Sequence, residues 1–174
     1  MTSLSRIAHR FAYNKHGEIN QVRKYTGDPY IVHPAAVVKL VESVPHTEEM
    51  LAAAWLHDTV EDTDTTIEEI QSEFGEEVAE LVEMLTDVSK PEDGNRKIRK
   101  AMDRHHLSEA SPKAKTIKLA DLIDNSRSII KYDPGFAKVF ISEMELLLPR
   151  LHQGNSRMWL LANKVIKDYR GTNK

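Results

Sequence analysis

Between Met50 and Leu56 the chain reads MLAAAWL, which is apolar on every side of a helix. A helix without a polar face must be enclosed by other elements. The fold is therefore constrained to pack its remaining elements around this segment. Thr47 stands three residues before Met50 as the N-cap, and the cap is simple because Met50 occupies the position a capping box gives to Glu or Gln. The helix is expected to run from 47 to about 60.

Helical spacing of apolar residues recurs along the rest of the chain. Residues 3–16 carry Leu4, Ile7, Ala8, Phe11 and Ala12 on one face, with Ser3 or Ser5 as the cap. Residues 17–30 are polar, and Gly27-Asp28-Pro29 marks a turn. Pro34 suits a helix start, where its missing N–H is not needed, and that helix ends before Pro45. Thr65 or Thr66 opens another helix that stops near Phe74-Gly75. An amphipathic helix over 76–88 follows through Val78, Leu81, Val82 and Leu85. Residues 89–112 are polar and charged and are expected to hold a loop and one exposed helix. Helices over 113–131, 135–149 and 155–169 close the chain. Alternation of the strand type is absent. The expected architecture is an all-α bundle of about eight helices, in a single domain over 1–174.

Composition excludes several functions. The net charge is −3, so no global basic field is available to hold nucleic acid. There is no Cys, which removes a disulfide scaffold, a thiolate metal site and a cysteine nucleophile. No segment approaches the roughly 20 apolar residues of a membrane span, and the N-terminus lacks the apolar run of a signal peptide. There is no Gly-rich phosphate loop of the P-loop type and no nucleophile elbow, which leaves no case for a kinase, an ATPase or a serine hydrolase. A soluble cytoplasmic protein with a small-molecule partner is expected, without nucleic acid or membrane. Its amphipathic outer helices could pair in a homo-oligomer.

Three short stretches carry the chemistry: His33 in PYIVHP, His57-Asp58 in AWLHDTVEDTDTT, and Asp121 in TIKLADLIDN. Two imidazoles and two carboxylates suit a borderline-to-hard divalent metal and leave positions for water and a phosphate. On a continuous helix His57 pairs with Glu61, and Asp58 with Asp62, at i,i+4. Three carboxylates within five residues repel one another, and a cation relieves that repulsion. The same spacing also describes a solvated acidic helix end. A lone His33 more often describes a core or cap histidine than a ligand. Asp121 lies in the apolar run Ile117, Leu119, Ala120, Leu122, Ile123, and shares a face with Asn125 and Ser128, which also describes an interhelical hydrogen-bond network. Arg23-Lys24 could clamp a phosphate or stack on a base, or be a solvated pair. The basic run Asn95 to His106 is an exposed helix face, or a pyrophosphate contact through Lys97 or Arg99.

Taken together, QVRKYTGDPYIVHP, AAAWLHDTVEDTDTTIEEIQSEFGEEVAELV and KAKTIKLADLIDNSRSI resemble the hydrolase domain of the Rel/Spo alarmone enzymes, in the HD phosphohydrolase superfamily. The resemblance covers roughly residues 4–131, and HDTVEDT is its most specific part. It implies an all-α HD-domain bundle holding one Mn²⁺ per chain, with His33, His57, Asp58 and Asp121 as ligands. It further implies that Glu61 and Asp62 orient and activate the attacking water. Arg23 and Lys24 would flank base and ribose, and Asn125 and Ser128 would meet the nucleoside. The implied reaction removes the 3′-pyrophosphate of guanosine tetra- or pentaphosphate, giving GDP or GTP and pyrophosphate. A chain of 174 residues has no room for a synthetase domain, so a stand-alone small alarmone hydrolase like the metazoan SpoT homologue is expected.

The sequence departs from the family after the last Asp ligand, where Leu122-Ile123-Asp124-Asn125 stands in place of Arg-Leu-His-Asn. An adenosine 3′-pyrophosphate is therefore an alternative substrate. Two further readings remain: another HD phosphohydrolase acting on a 5′-nucleotide or NADPH, and a binding module that senses alarmone without cleaving it. The intact set of ligands and carboxylates argues against the last.

Overall fold

The computed structural model describes residues 3–172. Among them are ten α-helices, two short 3₁₀ turns and no strand. The all-α expectation is met. The chain divides into two compact units, Met1–Thr86 and Asp87–Lys174.

The first unit holds α1 (Leu4–Glu18), α2 (Val32–Glu42), α3 (Glu48–Leu56), α4 (Thr59–Asp62), α5 (Ile67–Phe74) and α6 (Glu76–Leu85). The apolar α3 is its centre, with α1, α2 and α6 packed against it. Ala52, Ala53 and Ala54 of α3 and Ala8 and Ala12 of α1 have no exposed surface. Small side chains on both helices let their axes approach closely. Val37 and Val41 of α2 and Val78 and Val82 of α6 complete the core. The hydroxyls of Ser3, Thr47 and Thr66 accept from the backbone N–H of Arg6, Met50 and Glu69, so each cap expected from the sequence forms. Gly75 joins α5 to α6 at φ 89°, a backbone angle that L side chains rarely adopt.

One feature differs from expectation. The central helix does not continue to residue 60. It stops at Leu56, and α4 restarts at Thr59. Two side chains take over the end of the helix. The Thr59 hydroxyl donates to the Leu56 carbonyl at 2.7 Å, and His57 Nδ1 lies 2.9 Å from the Ala54 carbonyl. Such local side-chain bonds offer the backbone an alternative to the next helical turn. His57 and Asp58 thus occupy the joint between two helices, beside the core rather than along a surface face.

The second unit holds α7 (Arg96–Glu109), α8 (Pro112–Tyr132), α9 (Pro134–Leu147) and α10 (Ser156–Thr172), with 3₁₀ turns at Pro91–Asp93 and Leu148–Leu151. The long α8 is its axis, flanked by α9 and α10. Pro112 and Pro134 open their helices, and Ser111 and Asp133 cap them. Ile117, Leu119, Ala120, Ile141, Leu151, Met158 and Ala162 form the core. Lys115 is buried and donates to the Ser108 carbonyl at 2.8 Å and to Gln153 Oε1 at 2.5 Å. Asp103, also buried, accepts from the Ser89 N–H and hydroxyl, both at 3.0 Å. Burial pushes its carboxyl upward, but those bonds and the Lys100 ammonium outweigh it and hold the pKa below the ordinary value. No helix among the described residues is long and apolar enough to cross a membrane.

Candidate active site

His33 sits in the first turn of α2, directly before Pro34. Its backbone N–H donates to the Tyr30 carbonyl at 2.9 Å, so the loop ahead of the helix sets its position. Across from it, His57 and Asp58 emerge from the end of α3. One ligating atom from each of His33, His57 and Asp58 lies within 4.8 Å of the other two. His33 Nε2 and His57 Nε2 are 3.5 and 3.2 Å from the same oxygen, Asp58 Oδ2. The imidazole rings meet edge-on at 5.2 Å between centroids. Both histidines are buried and Asp58 is partly so.

This donor set fits a divalent metal. A carbonyl only accepts, so His57 must carry its proton on Nδ1 to bond Ala54. That tautomer leaves the Nε2 lone pair on the side of Asp58, as a metal-ligating imidazole requires. Two imidazole nitrogens and a carboxylate oxygen suit borderline first-row metals.

Tyr30 closes the cluster. Its hydroxyl donates to Asp58 Oδ2 at 2.6 Å, and its ring lies edge-on to His33 at 5.8 Å. Beyond Tyr30 is Arg23, whose guanidinium lies 5.9 Å from the ring centroid. Lys24 instead lies over Tyr25. The loop carrying both cations is pinned by the Arg23 N–H to the Asp28 carbonyl at 2.8 Å, by a bridge between Val22 and Pro29, and by Gly27 at φ 73°.

Glu61 and Asp62 are exposed on α4. Asp62 keeps its one-turn relation to Asp58, through its N–H to the Asp58 carbonyl at 3.0 Å. His57 caps the end of α3, outside the short α4 that carries Glu61. The Asp62 carboxylate accepts from Gln21 Nε2 at 2.8 Å. Although the residue is exposed as a whole, the protein mass around its carboxyl pushes its pKa above the ordinary value of 3.8. The charge of Asp58 adds to that shift, and the bonds from Gln21 and Tyr30 oppose it.

In the second unit Asp121 is buried on α8. Its Oδ2 is 2.8 Å from Lys118 Nζ, and its Oδ1 accepts from Asn125 Nδ2 at 2.6 Å. The Ser128 hydroxyl donates to the Asn125 carbonyl at 3.1 Å. The face shared by Asp121, Asn125 and Ser128 is thus linked along the helix, and Lys118 is an addition that the sequence did not announce.

Tyr30, Gln21 and His16 were also not singled out in the sequence. His16 had a legible signal: it follows Ala8 and Ala12 at steps of four, which places it on the buried stripe of α1. A histidine there needs a polar partner.

An HD domain family model matches residues 8–138, three quarters of the sequence. The chain belongs to the HD-domain family. Over 159 residues this HD-domain protein is 36% identical to the guanosine-3′,5′-bis(diphosphate) 3′-pyrophosphohydrolase of Aquifex aeolicus, a match covering 91% of the chain and 22% of that relative. The chain thus spans about a fifth of the length of that long relative. The match to the guanosine-3′,5′-bis(diphosphate) 3′-pyrophosphohydrolase MESH1 of Xenopus tropicalis is 37% identical over 173 residues and covers 95% of the chain and 84% of the relative. Among solved structures, a metazoan ortholog of SpoT described as hydrolyzing ppGpp aligns with a TM-score of 0.84 and 28% identity, over 97% of this chain and 96% of that one.

Proposed function

We propose that this HD-domain protein removes the 3′-pyrophosphate of guanosine tetra- or pentaphosphate, yielding GDP or GTP and pyrophosphate, with residues 1–174 acting as one domain. The carrying observation is the cluster of the buried His33 and His57 with the partly buried Asp58, and the carboxylate of Asp62 one turn beyond it. Similarity to MESH1 over nearly the whole chain supports the choice of substrate. The family match, which runs across the boundary between the two units, supports the single domain. A cytoplasmic setting belongs to the same reading.

One Mn²⁺ is the proposed ion, held by His33, His57 and Asp58, with Asp121 assigned by its motif position. When bound, such an ion supplies Lewis acidity that lowers the pKa of a water and offsets charge on a phosphoryl group. The remaining work falls to side chains. Asp62, with Glu61 beside it, takes the proton of the attacking water. Its raised pKa brings its basicity nearer to neutral pH, which suits a general base. Arg23, lying over Tyr30, and Lys24 flank base and ribose. Asn125 and Ser128 are assigned to the nucleoside by their motif positions.

Incubation with Mn²⁺ and a panel of guanosine and adenosine 3′-pyrophosphates, NADPH and 5′-nucleotides tests the proposal, with products separated by ion exchange. Pyrophosphate together with GDP or GTP is expected. Pyrophosphate released only from the adenosine compounds would reassign the base, and the departure at Asp124 would then be its first explanation. Loss of a single phosphate from NADPH or a 5′-nucleotide would overturn the reading. So would a protein that binds Mn²⁺ and turns over none of the panel. Alanine at Glu61 or Asp62 is expected to lower turnover while metal content holds.

A further inference from the structure

Asp62 stands at the end of the four-residue helix α4, exposed as a residue while its carboxyl faces protein. Besides Tyr30, its contact comes from Gln21, 41 residues earlier, through the 2.8 Å bond from Nε2. Gln21 is itself held at three points. Its backbone N–H donates to the His16 carbonyl at 3.0 Å, and its carbonyl accepts from the Tyr30 N–H at 3.0 Å. Its side-chain Oε1 lies 2.7 Å from His16 Nδ1.

These contacts fix a direction. An ionised carboxylate only accepts, so Gln21 must present its NH₂ to Asp62 and its oxygen to His16. The oxygen then requires a proton on His16 Nδ1. Flipping the amide would set its carbonyl oxygen against a carboxylate oxygen of Asp62. His16 is 2% exposed and its ring lies 4.7 Å from that of Tyr30, tilted by 45°, so its plane is set by packing. Its other nitrogen, Nε2, is buried without a hydrogen-bond partner. A buried imidazole with one satisfied nitrogen is an expensive way to fill a core position where alanine already serves one and two turns earlier.

We propose that His16 and Gln21 are positioning residues. His16 sets the orientation of the Gln21 amide, and that amide holds the Asp62 carboxylate in the rotamer that takes the proton from water. The inference rests on the assignment of Asp62 as the proton acceptor.

The test combines kinetics with Mn²⁺ and guanosine tetraphosphate and a measurement on the metal-free protein. Gln21→Met keeps the size of the side chain and removes both bonds. It is expected to lower kcat on the order of 10- to 100-fold, with KM and Mn²⁺ content unchanged, as for a misplaced catalytic group. In an Asp62→Asn background the same substitution is expected to have no further effect on kcat, because the group it positions is already disabled. His16→Phe should act like Gln21→Met, while His16→Asn, which retains an N–H donor, should recover part of the loss. In the metal-free wild type, ¹⁵N NMR should show the His16 proton on Nδ1, and that preference should weaken in Gln21→Met.

Unchanged kcat in Gln21→Met, effects of Gln21→Met and Asp62→Asn that multiply, or a proton found on Nε2 would each overturn the proposal. If Asp62→Asn alone leaves kcat intact, the catalytic assignment fails instead, and the two failures are told apart. If Gln21→Met does not fold, Gln21→Asn takes its place, since its amide falls one carbon short of both partners.

Discussion

The Tyr30 hydroxyl and the Asp58 carboxylate meet at 2.6 Å, on the oxygen that also faces both histidine Nε2 atoms. A phenol in that position orients the carboxylate and steadies its charge. Supporting hydrogen bonds of this kind typically carry about 10- to 100-fold in metal affinity. Tyr30→Phe is therefore expected to weaken Mn²⁺ binding by about that factor while leaving the helical content unchanged. Isothermal titration of the two proteins compares them directly.

A cluster of His33, His57 and Asp58 couples ion binding to stability, because the unfolded chain does not hold the three donors together. At an ion concentration about 100 times Kd the stabilisation is about 2.7 kcal/mol, and the melting temperature should rise with Mn²⁺ concentration. His57→Ala should abolish the rise. A variant that keeps the full metal-dependent shift would place the ion elsewhere.

Acid should destabilise the protein partly through His16. Burial pushes its pKa below the ordinary 6.5, against the Gln21 bond and the charges of Asp58 and Asp62, while the nearby His57 adds to the lowering. Below pH 6.5 the unfolded chain takes up a proton that the folded chain still refuses, so stability from this group is complete above that pH and is lost as the pH falls through the depressed value. Melting temperatures of His16→Asn between pH 7.5 and 5.5 should fall less steeply than those of the wild type. Parallel curves would show that His16 does not contribute.

Gly154 is needed for space. A Cβ there would lie 2.9 Å from Leu119 Cδ1 and 3.1 Å from backbone atoms of Lys115 and Thr116. The neighbouring Asn155 N–H donates to the Thr116 hydroxyl at 2.9 Å, which ties this loop to α8. Overpacking of this kind typically costs about 1–3 kcal/mol. Gly154→Ala should lower the denaturation midpoint accordingly, and an unchanged midpoint would mean that the loop yields freely.

The all-α class and most helix ends were readable because they depend on neighbours in sequence: Ser3, Thr47 and Thr66 cap as their positions imply, and Pro112 and Pro134 open helices. His33, His57 and Asp58 were readable as donors and do converge. The split at His57 was not readable, since MLAAAWLHDTVED suits one continuous helix and the competition comes from the side chains of Thr59 and His57. Gln21 and Tyr30 were not singled out because their partners lie 41 and 28 residues away, in an irregular stretch without periodicity.

The end of α3 has a consequence for mutational tolerance. Two of the three clustered donors are the first residues after a helix that is buried on nearly every side. No hinge or surface turn separates them from the packing of Ala52, Ala53 and Leu56. A substitution that shifts α3 by a fraction of an ångström is passed to His57 and Asp58 without attenuation. In a saturation scan, residues 50–59 should therefore tolerate fewer replacements when variants are sorted by activity than when they are sorted by abundance. The gap between the two maps should be narrower at equally buried positions of α6, such as Val78 and Val82, which carry no ligand at their ends.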